Sequence, residues 1–345
     1  MEYDANMVIK EYVDEEPVLF YDIDNDPIRV YGVWREGEHY VRMPKAVAET
    51  VSEGIANRYS STAGGRIRFV TDSPFVVIKA VYSWTHKVDI NTFLLSCGFD
   101  TYVDGKFNSA VKVPLDIDAG EHNYKVPIYG AGEHLVTINM PTHSAFNKIS
   151  IGIAEGTKIS HAPDYTYEKP ILYYGSSITH GSSASRPGMT YTAQVSRLLD
   201  SNYHSLGFGG LCKGEPQMAD YIASLDMSVF VLDYDHNAPT SEHLLATHES
   251  VFLTFREKHP DIPVVMISRP TDSCGREEAK RRFDIIKRTY DNARSRGDKN
   301  VYLINGLDFF GEDAVEFTVD TRHPTDLGFY VMARTIADVI RPLLK

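Results

Sequence analysis

Five short, almost uninterrupted apolar runs in the second half of the chain constrain its fold more than any other feature: ILYYG, YHSLGF, VFVLDY, PVVMIS and VYLING, all after about residue 170. A strand that is apolar on both faces has no side for water, so it needs cover above and below; parallel sheets flanked by helices supply that cover. Helical stretches separate the runs. One spaces Ala279, Phe283, Ile286, Tyr290 and Ala293 in a 4-3-4-3 pattern, a single apolar stripe. A second puts Leu244, Leu245, His248, Val251, Phe252 and Phe255 on one face, and a last one starts near Thr325, after a His-Pro pair. Strand and helix in alternation predict an α/β region over 170–345, a doubly wound, parallel, five-stranded sheet with right-handed crossovers.

Residues 1–160 read differently. GGRIRFV, SPFVVIKAVYSW and NTFLLSCGF are β-branched and aromatic runs of strand length, punctuated by Asp, Ser, Pro and Gly. Asp104-Gly105 is a two-residue hairpin signal, because that pair tolerates positive φ. EHLVTINMP alternates in the manner of a strand, and only AVAETVSEGI suggests a helix. Many short strands with turn signals predict a β-sandwich of jelly-roll type, joined to the α/β region by the polar, Pro-bearing EGTKISHAPDYTYEKP.

Composition narrows the partners. With 35 basic and 47 acidic residues the formal net charge is −12, which repels phosphate backbones and anionic lipid, so neither nucleic acid nor membrane is an expected partner. No run approaches the roughly 18 apolar residues that span a bilayer, and MEYDANMVIKEYVDEEP lacks a signal-peptide core. The expectation is a cytoplasmic protein, or a secreted one if a leader was trimmed. The three cysteines Cys97, Cys212 and Cys274 form no CxxC pair, and no HExxH, EF-hand loop or GxxxxGK occurs; neither a metal nor a cofactor is expected.

Ligands of open α/β sheets gather at the carboxyl ends of the strands. After ILYY comes Gly175-Ser176-Ser177-Ile178-Thr179-His180-Gly181, a serine at the turn into a helix. After YHSL comes Gly207-Phe208-Gly209-Gly210; after VFVLDY comes Asp235-His236-Asn237-Ala238-Pro239; before the last helix comes Asp320-Thr321-Arg322-His323-Pro324. These types fit one chemistry. Ser177 supplies a hydroxyl to attack, His323 an imidazole to take its proton, and Asp320 a carboxylate to hold the imidazole tautomer. The N–H groups of Ser177 and Gly210 and the side chain of Asn237 would face a developing oxyanion. Arg186 and His236 are further candidates for substrate contact.

GSSITHG, GFGG, DHNAP and DTRHPTDLG, in that order, resemble the four blocks of the SGNH (GDSL-type) hydrolases, and DxxHP followed by Gly328 is the most specific of them. The resemblance implies a flavodoxin-like fold over about 170–345, with Ser177, Gly210, Asn237 and His323 in the family's four roles and Asp320 as triad acid. Two departures mark a divergent branch: Ser176 stands where the family has Asp, and Asp235-His236-Asn237-Ala238 replaces Gly-x-Asn-Asp. A β-sandwich ahead of this fold is similar to two-domain carbohydrate esterases. The implied activity is hydrolysis of small acyl esters, acetyl above all, on carbohydrates through an acyl-enzyme. A lysophospholipid-type acyl hydrolase and a non-catalytic glycan-binding protein are the alternatives.

Each feature also has a plainer reading. Ser176 is the rival nucleophile or a helix cap, His180 a loop histidine, and Trp34 and Trp84 sandwich core or rim residues. Lys280, Arg281, Arg282, Lys287 and Arg288 alternate with acids, which reads as a solvated helix face.

Overall fold

From Val76 to Tyr82 every second residue of the strand Phe75–Thr85 joins one apolar core, Val76, Ile78, Ala80 and Tyr82, as the two-residue period of a strand dictates. A computed structural model describes residues 8–345. The chain divides into two units: one holds residues to Arg42, Ser60–Asp164 and Arg186–Gly188, the other Met43–Tyr59, Tyr165–Ser185 and Met189–Lys345.

Besides a two-stranded sheet, Trp34–Glu36 with His39–Val41, the first unit contains two large antiparallel sheets. One runs, in spatial order, Val8–Val13, Glu16–Asp22, Ser144–Ala154, Phe75–Thr85 and Gly120–Pro127. The other runs Ile159–Ser160, Arg66–Thr71, His134–Asn139, Phe99–Val103 and Lys106–Val111, with Arg29–Tyr31 also paired to Arg66–Thr71. Their inward residues share one core: Ile149, Ile151 and Ile153 from the first, Ile67, Phe69, Val136 and Ile138 from the second. The hairpin turn at Asp104-Gly105 takes φ of 50° and 75°, as that pair was expected to allow. One expected strand is a helix in part. Thr92 accepts a hydrogen bond from the Leu95 N–H and caps a short helix, Phe93–Cys97, before the strand at Phe99 begins.

The second unit is built on a five-stranded parallel sheet. Its strands, in chain order, are Tyr167–Gly175, Ser201–Gly207, Val229–Asp233, Val264–Ile267 and Val301–Ile304, and in spatial order second, first, third, fourth, fifth. The order reverses beside the first strand, between it and the third, which is where such sheets open a crevice. Leu172, Tyr174, Leu206, Phe230, Leu232, Val264 and Met266 carry one core, to which Met43, Ala48 and Ile55 contribute. Those three come from the segment expected to be helical, which forms Lys45–Val51 and Glu53–Ala56, divided at Ser52.

Two helices differ from expectation in detail. Ser241–Lys258 buries Leu244, His248, Val251, Phe252 and Phe255, but Leu245 is exposed. Arg276–Ser295 buries Ala279, Arg282, Ile286, Thr289 and Ala293. Arg282 was expected on a solvated face and is 3% exposed instead. The spacing 279, 282, 286, 289, 293 puts it on the buried stripe, where a cation is tolerable because carboxylates meet it.

Candidate active site

The first three parallel strands end level with one another: Gly175 pairs with Gly207 on one side and with Asp233 on the other. The residues that follow each strand therefore emerge at one edge. Two glycines make this possible. A Cβ on Gly175 would stand 2.0 Å from Thr179 Oγ1 and 2.6 Å from the Asp233 carbonyl, and one on Gly207 would stand 2.4 Å from the His180 nitrogen. Any side chain at either position would push the Ser177 turn off the sheet.

At that turn Ser176 is the cap, its hydroxyl accepting the Ile178 N–H at 3.2 Å, and Ser177 is the first residue of the short helix Ser177–His180. The rival serine thus has a structural task, and Ser177 is left facing outward. Its hydroxyl lies 2.9 Å from His323 Nε2, across 146 residues of sequence. The other ring nitrogen, Nδ1, lies 2.8 Å from Asp320 Oδ2. Asp320 Oδ1 accepts the backbone N–H of His323 at 2.7 Å and of Arg322 at 3.1 Å. Partial burial pushes the Asp320 carboxyl up, but the His323 N–H, its ring and the Arg322 N–H outweigh that and hold it below the usual carboxylate range.

The loop that carries this pair is closed on itself. Val319 N–H donates to the His323 carbonyl and Thr325 N–H to the Phe317 carbonyl, so residues 317–325 form a small hairpin. Thr321 at its tip takes φ of 65°. Thr325 caps the last helix, Asp326–Ile340, and Gly328 is needed there because a Cβ would meet the Phe317 carbonyl at 2.4 Å.

Asn237 ends a single 3-10 turn, Asp235–Asn237, after the third strand. Its Oδ1 accepts the Gly210 N–H at 3.1 Å and its Nδ2 donates to the Phe208 carbonyl at 2.9 Å. A donor on one side and an acceptor on the other fix which end of the carboxamide is which. The Gly210 N–H, expected to face the oxyanion, donates here to the carboxamide oxygen of Asn237 instead. Gly210 serves to orient Asn237, whose second Nδ2 hydrogen and the Ser177 N–H stay without partners among the described residues.

Of the two further candidates, His236 lies one residue before Asn237. Its ring is half-buried and its Nε2 is enclosed without a hydrogen-bond partner among the described residues. Burial, with the charges of Arg269, His323, Arg322 and Arg282, holds its pKa well below that of an ordinary histidine, so the ring is neutral. Arg186 belongs to the first unit and is already engaged there. Its Nε lies 3.3 Å from the fully buried Asp100 carboxylate, and its guanidinium lies 4.0 Å over the Phe107 ring. A buried carboxylate takes the nearest cation as counter-charge, so the guanidinium expected to contact substrate is here paired with Asp100. Trp84 donates to Ser60 Oγ at 3.4 Å, while Trp34 is 37% exposed.

Two buried groups beneath the site escaped the sequence reading. Asp233 Oδ2 accepts from Thr179 Oγ1 and from Tyr191 Oη, both at 2.9 Å, tying the Ser177 helix to the third strand. Burial pushes its carboxyl up to about 7. An acid closing an otherwise apolar strand run was the available signal. Asp235, 1% exposed, takes Arg269 and Arg282 as partners, at 3.4 Å and 3.3 Å. The signal there was the place of Arg282 on the apolar stripe.

Known proteins resemble this chain in sequence pattern and fold. The profile of the GDSL-like Lipase/Acylhydrolase family matches residues 168–341, and one described as the N-terminus of Esterase_SGNH_hydro-type matches residues 18–159. Among solved structures, a GDSL-like lipase from Bacteroides ovatus superposes with a TM-score of 0.84 at 28% identity, over 95% of this chain and 99% of that one. A salicylyl-acyltransferase from a tetracycline biosynthetic pathway gives 0.78 at 22% identity, over 94% and 98%. An acetyl xylan esterase from the rumen bacterium Butyrivibrio proteoclasticus gives 0.61 at 13%, again over 94% and 98%. Among curated proteins no sequence matches. The profile match, spanning half of the chain, together with the order and register of the four loops, makes this protein a member of the GDSL-like lipase/acylhydrolase family, an esterase of SGNH type.

Proposed function

We propose that the chain hydrolyses short acyl esters, acetyl above all, on a carbohydrate, with Ser177 as nucleophile, His323 as general base and acid, and Asp320 as the residue that holds the His323 tautomer. The observation that carries this reading is the 2.9 Å approach of Ser177 Oγ to His323 Nε2, with Asp320 on the far ring nitrogen. Asp320 fixes the proton on Nδ1, so Nε2 presents a lone pair to the serine hydroxyl. Ser177 Oγ attacks the ester carbonyl carbon as His323 Nε2 takes its proton. The oxyanion that forms is met by the Ser177 N–H and the second Nδ2 hydrogen of Asn237; one such donor is worth about 3–4 kcal/mol in the transition state. When the tetrahedral species collapses, the C–O bond to the alcohol breaks and His323 returns the proton to the departing oxygen. Water, deprotonated by the same nitrogen, then releases the acid and frees the serine.

His236 is a neutral hydrogen-bonding group beside this centre, suited to a substrate hydroxyl. The carbohydrate assignment is supported by the fold shared with an acetyl xylan esterase and by the antiparallel unit ahead of the α/β unit. Turnover of p-nitrophenyl esters of increasing acyl length tests it. A steep fall beyond two carbons is expected, and rates that climb with long chains would contradict the acetyl preference. On p-nitrophenyl acetate, Ser177→Ala is expected to lower kcat by about 10⁶, by analogy with other serine hydrolases; a variant that keeps most of its turnover would remove Ser177 from the mechanism.

A further inference from the structure

We propose that Arg282, acting with Arg269 and Asp235, is a positioning residue for ester cleavage: a buried ion cluster staples the Asp235–Asn237 turn so that the Asn237 carboxamide stays aimed at the substrate carbonyl oxygen. The inference rests on the assignment of Asn237 as an oxyanion donor in the proposed function.

A single 3-10 turn has little order of its own. Here its two ends are held by one guanidinium. Arg282 Nη1 lies 3.3 Å from Asp235 Oδ1, at the start of the turn, and Nη2 donates to the Ala238 carbonyl at 2.6 Å, directly after Asn237. Arg269 closes the other side of the carboxylate. Its backbone N–H donates to Asp235 Oδ2 at 2.9 Å, and its Nε lies 3.4 Å from the same oxygen. Glu278, one turn back on the helix of Arg282, lies 3.2 Å from the third edge of the guanidinium. Arg282 itself projects from the 20-residue helix Arg276–Ser295, whose stripe Ala279, Ile286, Thr289 and Ala293 is buried. The staple therefore has a rigid anchor.

The charges argue for a task beyond packing. Asp235, Arg269 and Arg282 are all at most 5% exposed. Taking three ions out of water costs more than their mutual attraction returns in most settings, and apolar side chains of similar volume would fill the space as well. What they provide and apolar groups cannot is direction, two donors set on two acceptors that bracket one short turn. The carboxamide of Asn237 is fixed as well, through its hydrogen bonds with Gly210 and Phe208. Backbone and side chain are thus both constrained before substrate arrives, the condition under which a donor stabilises a transition state without first being reorganised.

The test compares Arg282→Met and Arg282→Lys with the wild type and Ser177→Ala on p-nitrophenyl acetate. Active sites are titrated with a fluorophosphonate, and affinity for an alkyl boronate, which mimics the tetrahedral adduct, is measured in parallel. For Arg282→Met the expected result is a fall of about 10- to 100-fold in kcat per titrated site, the range a displacement near 1 Å produces. KM should stay within about threefold, since loss of a transition-state contact spares ground-state binding. Boronate affinity should fall in step with kcat, and Arg282→Lys, which keeps one donor, should recover part of both. A drop in thermal midpoint with kcat per site and boronate affinity unchanged would reduce Arg282 to a folding role and overturn the proposal. Should Arg282→Met fail to fold, Arg282→Lys and Asp235→Asn carry the same readouts with the same expected direction. Full turnover in Ser177→Ala would overturn the esterase site itself, and is read before any Arg282 variant is interpreted.

Discussion

Ser177 is the single partly exposed residue between Ile171 and Ala184, and its neighbour Ser176 is consumed by a cap. At this scale the residue types were legible in the sequence, because three of the chemistry-bearing loops directly follow an apolar strand run and the fourth, with Asp320 and His323, directly precedes the last helix. Hydrogen-bond directions were not legible, since they depend on which donor reaches which acceptor. Asp320 shows the consequence. Its Oδ1 is taken by two backbone N–H groups and its Oδ2 by the His323 ring. In Asp320→Asn the one remaining carbonyl oxygen would turn to the backbone donors, and the NH2 would face Nδ1. That forces the proton onto Nε2, the tautomer that cannot accept from serine. Asp320→Asn should therefore lose more kcat than Asp320→Ala, with the loss on the order of 10⁴ seen for an equivalent change in a serine protease triad, and His323→Ala should lose most. An Asn variant at least as active as the Ala variant, measured in steady state, would contradict the assigned hydrogen bonds.

The elements that place the site were foreseen where their apolar pattern was unbroken, as in the five parallel strands, and missed where one side chain decided the outcome. A threonine cap turned an apolar run into the helix Phe93–Cys97, and Arg282 sits where periodicity alone expects Ala or Leu. Asp233 is the element-scale feature with a measurable signature. Its carboxyl is raised from 3.8 to about 7 by burial, despite the Tyr191 and Thr179 donors. A raised acid keeps its proton in the folded state while the unfolded chain has already released it. Stability is then unaffected below about pH 4, falls as pH rises from there to about 7, and is level above. The effect amounts to at most on the order of 4 kcal/mol for a shift from 3.8 to about 7. Asp233→Asn, which keeps an oxygen to accept both hydroxyls, should flatten that slope relative to the wild type in chemical denaturation at a series of pH values. Parallel slopes for the two proteins would show that Asp233 ionises in the fold as freely as in the unfolded chain.

For the whole molecule, the acidic balance of −12 and the two compositional halves were plain from the sequence, and among the described residues no helix is long and apolar enough to cross a membrane. The path of the chain was not plain. Met43–Tyr59 belongs to the unit built on the parallel sheet, where Met43, Ala48 and Ile55 are fully buried in its core. Long-range insertion of this kind leaves no local pattern to read. A fragment starting at residue 165 would open that core, so it should bind a hydrophobic dye and lack a cooperative thermal transition; a fragment that melts cooperatively near the temperature of the full chain would refute the role given to residues 43–59. Above all of this stands the claim that one serine, armed by one histidine, carries the chemistry. Its most direct measurement is peptide mapping by mass spectrometry after reaction with a fluorophosphonate. A single adduct on Ser177, lost in His323→Ala under the same conditions, is the expected result, whereas an adduct on any other residue, or none on the active protein, would contradict it.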